Sequence, residues 1–245
     1  MDSVKIGLIG LGTIGTGVAK TLLENTALLE ERLGFSLDLT AIADIDITKD
    51  RGVSIPRNML TTDAYAIINN PDVDIVVELI GGIEPARTFI LDSLKAGKHV
   101  VTANKALLAS KGKELFDAAQ TCGRDLYYEA SVGGGIPIIK TLRESLIANN
   151  FVFIYGILNG TCNFILTEMS EKGSSFEDTL RQAQELGYAE ANPAMDVEGT
   201  DSAHKLAIIT SLAYGVPPDM SGVYVEGISG LDILDVGYAR KLGYK

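Results

Sequence analysis

The sequence predicts an α/β fold whose first part is an open parallel sheet with helices on both faces. Three observations predict it. Apolar runs of buried-strand length alternate with stretches of helical periodicity through the first half, the first run ends in a glycine-rich turn that opens a helix, and the alternation stops near Ser131. Val4 to Gly10 is the first strand, and apolar positions from Ile14 to Leu33 then recur at helical spacing. Strands follow near Leu37 to Ala43 and Asp74 to Ile80. Pro85 to Ala96 is a helix with proline in an opening position, and Lys98 to Thr102 is the next strand. Lys105 to Thr121 is helical and Asp125 to Glu129 extended. Beyond Gly133-Gly134-Gly135 and Pro137 the pattern predicts helices, one of them over Asn163 to Met169, a long strand at Asn150 to Leu158, and a last helix at Leu231 to Leu242. The expected domains are 1–130, a dinucleotide-binding domain, and 131–245, an α+β substrate domain, packed together without a low-complexity linker.

Composition bounds the function classes. A chain of 245 residues with 46% apolar and 22% charged content has enough material for one large or two modest cores. No apolar run is long enough to cross a bilayer, and the start lacks the basic and apolar regions of a secretory signal, so the expected location is the cytoplasm. The net charge of −11 argues against a nucleic-acid partner, which needs a basic stripe; a small-molecule partner fits better. Cys122 and Cys162 make no disulfide framework, and neither is part of a Cys-x-x-Cys pair. His99 and His204 stand far apart in sequence, with no ligand spacing for a transition metal.

Gly10-Leu11-Gly12-Thr13-Ile14-Gly15 matches the dinucleotide fingerprint of Rossmann-type sheets in the required setting, after a strand and opening a helix. The first glycine permits the turn, the second lets the backbone approach a pyrophosphate, and the third lets helix pack on strand. The helix N-terminus adds amides and a positive dipole, so Thr13 and Ile14 join the candidate cofactor residues. Asp44 closes the second strand, where its carboxylate suits the ribose hydroxyls. With Asp46 next to it a 2′-phosphate meets repulsion first, so NAD is expected to serve at least as well as NADP, unless Lys49 or Arg51 folds back. Gly81, after the third strand, and Thr102, Ala103 and Lys105, after the next, lie beyond strand carboxyl ends where ligands gather. A lysine opening a helix opposes the dipole, which gives Lys105 a reason to serve a ligand.

Further along, Asp201 and Lys205 sit four residues apart, so a helix holds an ammonium beside a carboxylate. The same spacing also suits an ordinary solvated ion pair. The fingerprint, Thr102 through Ala109, Glu129 through Pro137, Asn159-Gly160-Thr161, and Asp196 through Lys205 together resemble homoserine dehydrogenase, in order and over nearly the whole chain. The resemblance implies reversible reduction of L-aspartate 4-semialdehyde to L-homoserine with NAD or NADP, a step of threonine, methionine and isoleucine biosynthesis. It implies Lys205 as proton donor, Asp201 as its positioning group and a substrate contact, and Lys105 as a second essential lysine that orients the substrate. Gly187 is implied near the cofactor, and Gly160, Thr161, Tyr188, Glu190 and Asp196 around the substrate, with Glu190 facing its ammonium and the glycine turn its carboxylate. Taken alone, Gly187 is also a plain helix C-cap, Thr161 a cap residue and Glu190 a surface acid. The loop of Glu129, Val132, Gly134 and Ile136 resembles the family's site for a monovalent cation such as Na⁺, held by backbone carbonyls; a glycine hinge between domains is equally compatible. A homodimer through the substrate domains is implied as well. Family members continue past the point matching Lys245, so the substrate-domain sheet is expected to be incomplete within this sequence, and no appended feedback domain is expected in it. Two other readings fit the same cofactor turn: another nicotinamide-dependent aldehyde or imine reductase, and a catalytically silent NAD-binding module.

Overall fold

The computed structural model describes residues 3–244 and divides into two compact units, 1–145 and 146–245. The first unit holds a six-stranded sheet in which every pairing is parallel. Its strands are β1 (Ser3–Ile9), β2 (Ser36–Ala43), β3 (Leu60–Thr61), β4 (Ile75–Glu78), β5 (His99–Thr102) and β6 (Leu126–Tyr127), in the spatial order β3-β2-β1-β4-β5-β6. The chain reverses its direction of travel across the sheet between β3 and β4, which makes the carboxyl ends of β1 and β4 the topological switch point.

Burial on both faces explains why these strands are near-continuous apolar runs and do not alternate. Leu8, Ile42, Val76 and Val100 are fully buried, each worth about 1.5–3 kcal/mol relative to exposure. The covering helices are α1 (Thr13–Glu24), α2 (Thr26–Leu33), α3 (Tyr65–Ile68), α4 (Ala86–Lys95) and α5 (Lys105–Cys122). The single helix expected over Ile14 to Leu33 is two, because Asn25 leaves helical geometry at φ −111° and ψ 20°. There the Thr26 hydroxyl bonds back to the Leu22 carbonyl at 2.8 Å, a local bond that competes with the helical ladder. α5 starts where Asn104 caps the Leu107 amide and stops at Gly123 in the left-handed region.

The division after Ser145 falls later than the expected 130/131 boundary. Short helix α6 (Ile138–Lys140) and the π turn Thr141–Ser145 stay with the first unit because the Glu129 carboxylate accepts from the Ile139 and Lys140 amides at 3.0 and 2.8 Å. Arg143 adds a cation–π contact over Tyr127, 5.1 Å from the ring centre.

The second unit contains α7 (Gly160–Lys172), α8 (Phe176–Glu185), α9 (Ala194–Val197), α10 (Thr200–Tyr214) and α11 (Ile233–Lys241). Its core gathers Ile165 and Met169 of α7, Ala183 of α8, Ala189 and Val197. The long strand expected at Asn150 to Leu158 does not form. Strand geometry is held by bonds to a neighbouring strand, and no described segment pairs with these residues. Val152, Phe153, Tyr155 and Ile157 are correspondingly exposed.

Candidate active site

At the carboxyl edge of the sheet, three strand ends converge on the glycine turn. The Gly10 amide donates to Ala43 O at 2.8 Å, and the Leu79 amide to Ile9 O at 2.8 Å. Gly10 has φ +101°, and a Cβ there would stand 2.7 Å from the Leu79 backbone. A Cβ on Gly15 would stand 2.0 Å from Gly10 O, so helix α1 can lie this close to the turn only without a side chain. Gly12 is different. Its φ of −68° is open to any residue, and a Cβ would meet nothing within 4 Å. Protein packing therefore accounts for Gly10 and Gly15 but not for Gly12, whose bareness leaves room for something that is not protein. No side chain caps the α1 N-terminus, and its first turn carries no acid, so the amides of Thr13 and Ile14 keep their positive end toward that space.

Asp44 lies beside this turn. Its carboxylate accepts from the Leu11 amide at 2.5 Å and the Asp46 amide at 2.9 Å. Arg51 does fold back: its guanidinium lies 3.3 Å from the Asp44 carboxylate and donates to Asp46 O at 3.2 Å. Asp46 itself is turned to the Thr48 hydroxyl and the Thr48 and Lys49 amides, which hold its carboxyl below the usual range. The Asp46 charge is thus occupied in its own turn, and a cation stands within reach of Asp44.

Gly81 and Gly82 both take positive φ after β4, while Thr102 closes β5 and Ala103 and Lys105 follow it. Asn104 joins the two loops by donating to Gly82 O at 2.6 Å. Sequence reasoning missed Glu78. It is fully buried at the end of β4 and accepts from the Ile80 amide at 2.8 Å and the Thr102 hydroxyl at 2.7 Å. The signal was present as an acid closing an otherwise apolar strand.

In the 129–136 loop, Gly133 and Gly134 take positive φ. The Glu129 and Ile136 carbonyls accept from the Val132 and Ile138 amides, which leaves each a second lone pair. Among the described residues no group of three or more His, Cys, Asp or Glu side chains could hold a metal ion.

The second unit builds its own cluster. Lys205, on α10, donates to the Asp201 carboxylate at 2.6 Å and to Leu158 O at 2.8 Å. The pair is no solvated decoration, since the two side chains are only 18% and 6% exposed. Asn159 caps α7 through the Cys162 amide at 2.8 Å, while its amide group reaches Asp196 at 2.7 Å and Asp201 at 2.9 Å. One buried amide therefore ties α7, α9 and α10 into a fixed array. Cap spacing was legible, but this double bridge was not. Thr161 donates to Tyr188 O at 2.7 Å, and the Tyr188 ring packs on Phe164. Gly160 opens α7, Gly187 follows α8 at φ +78°, and Glu190 is exposed with its carbonyl bonded to Gln184. The Cys162 thiol bonds to Asp196 O at 3.1 Å and is pushed up to about 11 by burial, with Asp196 and Asp201 adding repulsion.

The family model for the homoserine dehydrogenase NAD-binding domain matches residues 10–129, and the homoserine dehydrogenase model matches 137–245. The chain belongs to the homoserine dehydrogenase family. The two matched ranges bracket Ser131, whereas compactness divides the chain after Ser145. The homoserine dehydrogenase of Neisseria gonorrhoeae is 48% identical over 245 residues, covering all of this chain and 56% of that protein. A crystal structure of a homoserine dehydrogenase from Thiobacillus denitrificans superposes with a TM-score of 0.94 at 47% identity, over all of this chain and 57% of that one. A hyperthermophilic archaeal homoserine dehydrogenase mutant, solved in complex with NADPH, matches at TM-score 0.81 and 26% identity, over 95% of this chain and 76% of that one. The chain thus spans little more than half the length of the curated relatives it matches. No helix among the described residues is long and apolar enough to cross a membrane.

Proposed function

We propose that this chain reduces L-aspartate 4-semialdehyde to L-homoserine, reversibly, with NAD or NADP. The observation that carries the reading is the hydrogen-bonded array of Lys205, Asp201, Asn159 and Asp196, in which Asp201 and Asn159 are buried. The residues of the first unit fit a dinucleotide: Gly12 is bare with no neighbour to require it, and the α1 amides are uncapped. When bound, the reduced nicotinamide supplies the hydride for the carbonyl carbon.

The carbonyl oxygen must gain a proton in the same step. An ammonium has three N–H donors, and Lys205 spends two on Asp201 and Leu158 O. The third is left to bind the substrate oxygen and pass its proton as the alcohol forms. Asp201 holds the ammonium in place and is itself fixed by Asn159, so the donor is positioned before substrate arrives. Lys105, at the start of α5, orients substrate and polarises the reacting oxygen. Glu190 and Asp196 meet the substrate ammonium, with Tyr188 beside them, and the Gly160 and Thr161 amides at the α7 N-terminus meet its carboxylate. Gly187 contacts the cofactor. Backbone carbonyls of Glu129, Val132, Gly134 and Ile136 hold a monovalent cation such as Na⁺.

Asp44 accepts from the ribose hydroxyls, and because Arg51 has folded back to give a 2′-phosphate its counter-charge, both NAD and NADP serve, neither strongly preferred. The ratio of kcat/KM for NADH and NADPH measures this, and a strong preference for either would refute it. The activity itself is tested by NADH and NADPH oxidation with L-aspartate 4-semialdehyde against other small aldehydes. Selective turnover of the semialdehyde is expected; cofactor binding without turnover would overturn the proposal.

A further inference from the structure

The carboxylate of Glu78 is a buried acid that the reaction does not use. It lies at the topological switch point, fully excluded from solvent, where an acid without hydrogen bonds would cost several kcal/mol. Its bonds run along a single path. One oxygen accepts from the Ile80 amide at 2.8 Å, at the root of the Gly81-Gly82 loop. The other accepts from the Thr102 hydroxyl at 2.7 Å, whose oxygen in turn accepts from the Asn104 amide at 3.0 Å. Asn104 caps α5 through the Leu107 amide at 3.1 Å and returns to the first loop by donating to Gly82 O at 2.6 Å. The path is closed. It fixes the loop after β4 against the helix start that carries Lys105, through Glu78 and Thr102, which are buried, and Asn104, which is half-buried.

We propose that Glu78 is a positioning residue for the cofactor: through Thr102 and Asn104 it sets the Ile80–Gly82 loop and the Lys105 helix start in one arrangement that receives the nicotinamide end. This deepens the reading of the first unit as a dinucleotide domain and rests on it. An apolar residue would fill the same volume at the end of β4 but would leave the Ile80 amide and the Thr102 hydroxyl without their acceptor. A carboxylate is suited to both because it only accepts, so neither bond can be reversed.

NADH titration by fluorescence, together with thermal melting, tests the proposal on the whole chain. Glu78→Gln keeps the shape but turns one acceptor into a donor; Thr102→Val cuts the path at its next link, and Thr102→Ser keeps the hydroxyl. Both Glu78→Gln and Thr102→Val should weaken NADH binding at least tenfold, the double variant should lose no more than the worse single one, and Thr102→Ser should recover most of the affinity that Thr102→Val loses. A purely structural Glu78 would lower the melting temperature and leave the dissociation constant of the folded protein unchanged, which would overturn the proposal, as would losses that multiply in the double variant. If wild type binds neither NADH nor NADPH, the dinucleotide reading fails along with it.

Discussion

The two candidate sites are built by opposite means. The glycine turn of the first works through what it lacks: Gly10 and Gly15 admit backbone contacts that any Cβ would block, and Gly12 leaves space open. The array of the second works through what it holds: an ammonium, two carboxylates and an amide fixed at 2.6–2.9 Å. A backbone site is therefore damaged by adding atoms and a side-chain site by removing them. The first follows from local rules of strand, turn and helix, whereas the second needs residues from three helices to meet.

The largest expected effect tests the first half of that contrast. Gly15→Ala places a methyl 2.0 Å from Gly10 O and should destabilise the first unit by at least ~3 kcal/mol, beyond ordinary overpacking, in urea unfolding. A melt like wild type would show that the turn is not held as tightly as described. Asp201→Asn comes next. It keeps the volume but strips the counter-charge from a buried ammonium, so kcat should fall by roughly ten- to a hundredfold with a stability loss near ~3 kcal/mol. Unchanged kcat would return the pair to mere scaffolding. Gly12→Ala should leave stability within about 1 kcal/mol, since nothing is crowded, and weaken NADH binding roughly tenfold. Equal binding would remove the main argument that the turn receives a ligand.

The smallest effect concerns Cys162. Its thiol titrates at about 11 in the folded chain against an ordinary 9.0. The folded state thus keeps a proton that the unfolded state gives up; the resulting stability is intact below pH 9 and is lost as pH rises toward 11. Alkylation by iodoacetamide in a Cys122→Ser background should stay slow through pH 9 and accelerate near 11. An inflection near 9 would mean that the thiol is not screened by α7 and the Asp196 carbonyl.

Much of the first unit could be read from its residues, because periodicity and glycine spacing are set by neighbours in sequence. β1, β2, β4 and β5 fall within a residue or two of expectation, and so does α5. Asn25 breaks the first helix because a threonine hydroxyl competes with the ladder, a balance too small for an apolar pattern to register. The strand at 150–158 failed for another reason: a run of apolar residues makes a strand only when a partner supplies its bonds, and no described segment pairs with it. At the cofactor end, whether Arg51 pairs with Asp44 depended on how a loop closes. In the second unit, Asp201 and Lys205 were visible at helical spacing, but their burial was not, nor was the double bridge from Asn159. Resemblance to a family brought those residues together where local chemistry alone favoured ordinary caps and a surface ion pair.

Whether the Lys205 ammonium gives its proton to the substrate oxygen is decided by Lys205→Arg. Arginine preserves the charge beside Asp201, so the array stays paired, yet a guanidinium does not release a proton near neutral pH. With NADH binding and far-UV circular dichroism like wild type, kcat for L-aspartate 4-semialdehyde should drop at least a hundredfold. Turnover within a few-fold of wild type would contradict the account.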